Sequence, residues 1–286
     1  MIEGLPSRSA QGMAMHRAAH QIFDRPLLFA DPLAGAMIGA EGRLLLRAQP
    51  HAFRSEWAIR AFTVARSFHA ENALRRAVDA GVWQYVVLAA GLDSFAYRAD
   101  TPKDLRVIEV DSPATQAWKR ARLREEKVAI PAKLAFVAMD LEKQALEERL
   151  RDAGFHADAP AFFSFLGAAM FLEEAAVMDI ARFIGGLPPG SGLVFDYGLP
   201  ASALDPQQRA EREHVVRGLA AVGEPVKTWF DPGLLAQSLR QFGFGDIEDI
   251  GYAEMNARFF AGRADNLRVS RNGRRLLCAR VTARNI

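Results

Sequence analysis

The chain has 286 residues, half of them hydrophobic and 24% charged, with a formal net charge of only +2 and a single cysteine. It is long enough to bury a sizeable core, and the balance excludes disordered, collagen-like and disulfide-stapled classes. The longest uncharged apolar run, residues 161–172, falls short of the ~20 residues that cross a bilayer. The first ten residues lack the charged-then-apolar signal pattern, so a cytoplasmic location is expected.

Residues 1–80 carry no strand alternation and read as a helical cap. Ser9 is placed to cap a helix through Met13, Arg17 and His20. Asp24-Arg25-Pro26 and Ala30-Asp31-Pro32 interrupt the chain, because proline restricts the residue before it as well as itself. A second helix is expected after Pro32 and a longer one over residues 56–80, ending before Gly81.

From residue 81 the pattern becomes strands alternating with helices. Strands are predicted at 85–89, 105–110, 133–138, 161–166 and 192–197, with helices at 113–127, 143–153 and 173–184, which specifies a parallel sheet. A polar insertion at 199–230 follows, expected together with the cap to cover the crevice at the strand ends. Then come a helix at 232–241 and two closing strands, at 246–252 and 275–281, expected to pair antiparallel. The fold class is α/β: a doubly wound, mostly parallel seven-stranded sheet under an N-terminal helical cap. No linker separates the two parts, so residues 1–286 count as one domain. Cys278 falls in an apolar strand and reads as a core thiol.

Residues from Arg258 to the end hold eight Arg against one acid, Asp265. A nucleic-acid surface is one reading. A solvated loop and an edge strand blunted by charge is the favoured one, because aromatic residues are not interleaved there.

The chemistry concentrates where strands end. The first strand runs into Ala89-Ala90-Gly91-Leu92-Asp93 and the second ends in Glu109-Val110-Asp111. Glu109 lies close to the ~20-residue interval from Gly91 that sets an acid beside a cofactor's ribose, where a carboxylate accepts two hydroxyl hydrogen bonds. Only one glycine of a G-x-G-x-x-G cradle is present, which disfavours a dinucleotide pyrophosphate. S-adenosylmethionine has no phosphate and needs one close backbone approach, at Gly91, with acids for its ribose and ammonium. Asp140-Leu141, after the third strand, supplies an acid and an apolar wall for adenine. Each acid taken alone is equally a helix cap or a surface charge.

The segment from Val87 through Gly91, Asp93 and Tyr97 to Arg98 resembles the V-L-G-A-G-L-D-T-x-x-Y-R motif of the leucine carboxyl methyltransferase family. The likeness continues in Ile108-Glu109-Val110-Asp111-Ser112-Pro113, Asp140-Leu141 and Phe162-Phe163-Ser164-Phe165-Leu166-Gly167. At the amino end it covers Pro6-Ser7-Arg8-Ser9-Ala10, Arg17 and Asp31-Pro32-Leu33-Ala34. The resemblance implies a Rossmann-like methyltransferase fold using S-adenosylmethionine, with Arg17 and Arg66 at the cofactor's carboxylate and Gly91, Asp111 and Asp140-Leu141 at its other positions. Two departures stand out: Ala89 replaces the first glycine of the loop, and Leu166 stands where some members place Glu.

An O-methyltransferase acting on a carboxylate or hydroxyl of a small molecule is therefore expected, with no metal and with Tyr197 facing the acceptor. A carboxylate is already ionised near neutral pH and needs no base, whereas a phenol gains from one. Of the six His, His69 and His214 alone are placed to reach the crevice, and each reads first as structural or surface. The rivals are methylation of a protein C-terminal carboxylate, a nucleic-acid methyltransferase, and a cofactor-binding regulator without turnover.

Overall fold

The structure, a computed structural model, describes residues 4–283. The first three residues of the expected cap and the last three of the expected domain lie outside it. Helix α1 (Arg8–Phe23) starts at Ser7, whose hydroxyl accepts the Ala10 N–H at 3.1 Å; Ser9, the expected cap, is already inside the helix. Helices α2 (Ala34–Ala48), α3 (Pro50–Ser55) and α4 (Trp57–Asp79) complete the cap.

The sheet elements then follow as β1 (Gln84–Leu88), β2 (Arg106–Asp111), α5 (Pro113–Glu125), β3 (Leu134–Ala138), α6 (Leu146–Asp152), β4 (Phe162–Phe165), α7 (Glu174–Gly185) and β5 (Gly192–Gly198). The β1–β2 crossover contains only one short 3-10 turn in place of a helix. After β5 come α8 (Pro206–Ala221), α9 (Pro232–Phe242), β6 (Phe244–Ile250), α10 (Tyr252–Phe259) and β7 (Arg274–Val281).

The seven strands lie in the order β3-β2-β1-β4-β5-β7-β6, parallel except for β7, which is antiparallel to both neighbours. β7 is thus interior, and β6 is the edge. The edge-strand explanation of the C-terminal arginines is corrected accordingly: Arg275 pairs with Asp249 at 2.9 Å, Arg280 with Asp246 at 3.6 Å and Arg271 with Asp205 at 3.5 Å. Their acids come from other parts of the chain, where a count over the segment itself does not see them.

Strand alternation distributes the core onto both faces. Val86 and Leu88 of β1 pack with Ile108, Phe163 and Phe165 against α6, α7 and α9. Tyr85 and Val87 pack with Val107, Phe162 and Val194 against α4. A third cluster joins α1, α2 and α5 through Ala14, Met37, Leu46 and Leu123. Cys278 is buried, which pushes its thiol up to about 11. Among the described residues no helix is long and apolar enough to cross a membrane.

Candidate functional site

At the carboxyl end of β1 the chain turns sharply. Ala89 and Gly91 both adopt positive φ, +50° and +47°, and the Asp93 N–H closes the turn on the Ala90 carbonyl at 2.8 Å. The turn is fastened to β2 by Asp111, whose carboxylate accepts the Gly91 N–H at 2.6 Å and the Ser112 N–H at 2.7 Å. Burial pushes the Asp111 carboxyl up, and the two N–H groups oppose that by favouring the ionised form.

A second built feature sits at the end of β4. Gly167 has φ +70°, and its N–H donates to Asp196 at 2.5 Å. The other Asp196 oxygen holds Arg66, Nη1 to Oδ2 3.2 Å. A Cβ on Gly167 would lie 2.6 Å from both terminal nitrogens of Arg66, so a glycine is what lets the guanidinium reach this loop. Arg17, from α1, donates to the Leu92 carbonyl at 2.5 Å and pairs with Asp31 at 3.3 Å, which brings a second guanidinium to the β1 turn.

These groups surround a cavity of about 790 Å³ at the carboxyl ends of the parallel strands, the usual ligand position in such sheets. Arg17, Arg66, Ala89, Gly91, Asp93, Asp111, Asp140 and Leu141, all singled out from the sequence, line it. Asp140 accepts the Glu142 N–H at 3.0 Å and meets Lys143 at 3.3 Å. Leu166 lines it too, so this part of the wall is apolar.

Glu109 and Tyr197 are not brought to the cavity. Glu109 lies one pleat before Asp111, under α5 and short of the sheet's end. It is buried, with Lys119 at 2.8 Å and the Tyr97 hydroxyl donating at 2.9 Å, and burial pushes its carboxyl up. Tyr197 follows Asp196 on β5, so when Asp196 turns toward Arg66 the tyrosine turns to the opposite face. There its hydroxyl donates to Asp249 at 2.6 Å, against Phe230. The expected acceptor-facing tyrosine is therefore corrected to a buried link between β5 and β6. His69 packs on Phe259 with Glu248 at 3.6 Å, and His214 is exposed on α8; neither lines the cavity.

The cap and the 199–230 insertion, both expected over the site, do line its mouth, through contacts that no local pattern announces. The strap before α1 and the segment after α8 cross the cavity mouth, lining it with Gly4, Leu5, Ser7 and Lys227. Glu224, 4% exposed, accepts the N–H groups of Arg8 and Ser9 at 2.8 and 2.9 Å. Lys227 bridges Glu142 at 2.9 Å and Glu173 at 3.3 Å. Arg8 and Glu224 are 216 residues apart in the chain and Glu142 and Lys227 are 85 apart, too far for a local pattern.

A family model described as leucine carboxyl methyltransferase matches residues 10–185. A protein named "Putative S-adenosyl-L-methionine-dependent methyltransferase YktD", from Bacillus subtilis, is 36% identical over 207 residues, covering 71% of this chain and 67% of its own. A protein of the same description from Mycobacterium avium is 31% identical over 277 residues, covering 88% and 87%. Among solved structures, a DUF574 family protein from Streptomyces avermitilis matches with a TM-score of 0.55 at 17% identity, over 96% of this chain and 98% of that one. At that identity the match speaks for the fold alone.

Proposed function

Because the chain belongs to the leucine carboxyl methyltransferase family and is an S-adenosylmethionine-dependent methyltransferase, we propose that it methylates an oxygen, a carboxylate before a hydroxyl, of a small-molecule acceptor. When bound, the cofactor supplies a sulfonium methyl that the acceptor oxygen takes in line as the C–S electron pair leaves with sulfur. The cavity's donor set fits this cofactor. Arg17 and Arg66 would hold its carboxylate, the guanidinium fork being the matching shape. Asp111 would accept the ribose hydroxyls, and Gly91 would let the backbone approach closely. Asp140 and Leu141 would flank adenine, and Asp93 would face the ammonium.

The observation that favours a carboxylate over a hydroxyl is the cavity wall itself. Among the described residues lining it there is no His, Tyr or Cys to take a proton, and a carboxylate needs none taken near neutral pH. The strap and the Lys227 segment line the mouth, which suits a small acceptor and limits the water that reaches the reacting atoms. The chain's part in the reaction is thus to align, to neutralise and to dry the site.

Titration calorimetry with S-adenosylmethionine tests the cofactor roles. Asp111→Ala should weaken binding roughly 10- to 100-fold, the scale of one lost charge-assisted contact. Transfer of labelled methyl to a product that releases methanol in base supports a carboxylate acceptor. Label found only on nitrogen or carbon refutes the oxygen assignment.

A further inference from the structure

The end of α1, helix α3 and the start of α4 meet the segment before β7 around a second cavity, of about 340 Å³, which shares no lining residue with the first. Its wall carries three arginines, Arg54, Arg60 and Arg268, and two acids, Asp24 and Asp265.

Both acids are committed. Asp24 accepts the Arg60 Nε–H at 2.7 Å on one oxygen and the Arg60 Nη2–H at 2.9 Å on the other, with His20 Nδ1 at 2.8 Å as a further partner. Asp265 is held by Arg263 at 2.9 and 2.6 Å and accepts the N–H groups of Arg25 and Leu267 at 3.0 and 3.2 Å. Glu56, which precedes α4, turns to His16 at 3.9 Å. The remaining two cations are not committed. Among the described residues the Arg54 and Arg268 guanidinium groups have neither an ion pair nor a hydrogen bond, unlike their neighbours Arg60 and Arg263. Each stands instead over an aromatic ring, Arg54 5.0 Å from the centre of Phe23 and Arg268 5.3 Å from that of Trp57. A ring face attracts a guanidinium and so fixes where it stands, without supplying the oxygen lone pairs that its N–H groups call for. The Asn266 side-chain amide, also on the wall, is likewise without a hydrogen-bond partner among the described residues.

We propose that this cavity is a second binding site, for a phosphate dianion, free or carried by a small ester, held between Arg54 and Arg268. With Arg263 counted, four cations face two acids, so the wall has an excess of two positive charges. A phosphate monoester carries about −1.5 to −2 charge near neutral pH and three acceptor oxygens, which two guanidinium forks match. A single carboxylate leaves one of the two charges unmet. Leu267, with the rings of Phe23 and Trp57, offers an apolar wall to the organic part of an ester, and the volume falls at the small end of the ~300–1,000 Å³ of small-ligand pockets. S-adenosylmethionine carries no phosphate, so this is not a second place for the cofactor. The site stands whichever acceptor the first cavity takes.

The test is calorimetry on the full chain at constant ionic strength, with inorganic phosphate, phenyl phosphate and ribose 5-phosphate set against phenol, ribose and benzoate. At least one phosphate should bind with a Kd of about 1 mM or tighter, and tenfold or more tighter than benzoate or the neutral parents. A monoester tighter than inorganic phosphate assigns the ester as occupant, and equal affinities assign the free ion. Binding should persist when S-adenosylmethionine is at saturation, and of the four indole N–H resonances that of Trp57 should move. Arg54→Met and Arg268→Met should each lose roughly 10- to 100-fold for phosphate while melting temperature and S-adenosylmethionine affinity hold, and the Lys variants should recover part of the loss. The comparison of phosphates with carboxylate and neutral probes on the unaltered protein stands even if a variant fails to fold. No phosphate binding, benzoate or neutral parents matching the phosphates, displacement by S-adenosylmethionine, or Met variants that bind phosphate normally overturns the assignment.

Discussion

Ala89 sets the residue scale, because the sequence shows a methyl where the family motif has a glycine and the structure shows what that methyl costs. Its φ of +50° is a left-handed conformation that an L side chain adopts at roughly 1–2 kcal/mol. Glycine would remove that cost while adding about 0.4–1 kcal/mol of unfolded-chain entropy. Ala89→Gly should therefore be neutral to stabilising, by roughly 1 kcal/mol or less, with a melting temperature raised by about 1–3 °C. A lowered melting temperature would mean that the methyl packs well enough against the neighbouring core to outweigh the strain. The residues at this turn were legible because strand, turn and acid are contiguous in sequence. The lack of partners among the described residues at the Arg274 guanidinium and at His16 Nδ1 was not, since an arginine beginning a strand and a histidine on a helix look the same whether solvated, paired or left unpaired. Glu109 was misread for a related reason: two acids one pleat apart share a face, and only the position of the sheet's end distinguishes them.

At the scale of elements, α1 connects cap, cofactor cavity and roof. A helix start leaves its first N–H groups without partners, and here Glu224 takes two of them while Ser7 takes a third. A carboxylate at this position also matches the positive end of the helix dipole. The contact latches the segment after α8 onto the strap over the cavity. Glu224→Ala should speed S-adenosylmethionine dissociation by roughly tenfold, consistent with two lost hydrogen bonds to a charged group after partial replacement by water. It should also accelerate amide exchange at Arg8 and Ser9. Faster exchange with unchanged dissociation would show that the latch orders the strap without gating the cavity. The long elements, α1, α4 and β1 to β5, were readable from period and length. Helices α3 and α10 escaped because six and eight residues give too few turns for a helical period. The end of α10 was further masked by the arginines that follow it. The cap of α10 lies in a contact between the Glu254 carboxylate and the Gly251 N–H at 3.0 Å, a detail of geometry and not of pattern.

For the whole molecule, the question is whether the cap at residues 1–80 is a separable module or half of the core. Phe62, Val64, Ala70, Ala73, Leu74 and Ala77 of α4 lie against Tyr85, Val87, Phe162, Val194 and Leu276 of the sheet. Burying a large apolar side chain contributes about 1.5–3 kcal/mol. Uncovering those five sheet residues would therefore cost on the order of 10 kcal/mol, as much as the total stability of an ordinary domain. A chain beginning at residue 81 should then lack a native near-ultraviolet signal and bind no S-adenosylmethionine. The intact chain should unfold in one transition, with near- and far-ultraviolet signals coincident. Because Arg17 and Arg66 of the cap and the β1 turn of the sheet line one cavity, saturation at 100 times Kd should raise that single transition by the equivalent of about 2.7 kcal/mol. Two transitions, with the cofactor moving only one of them, would make the cap an independent unit and reduce α4 to a lid.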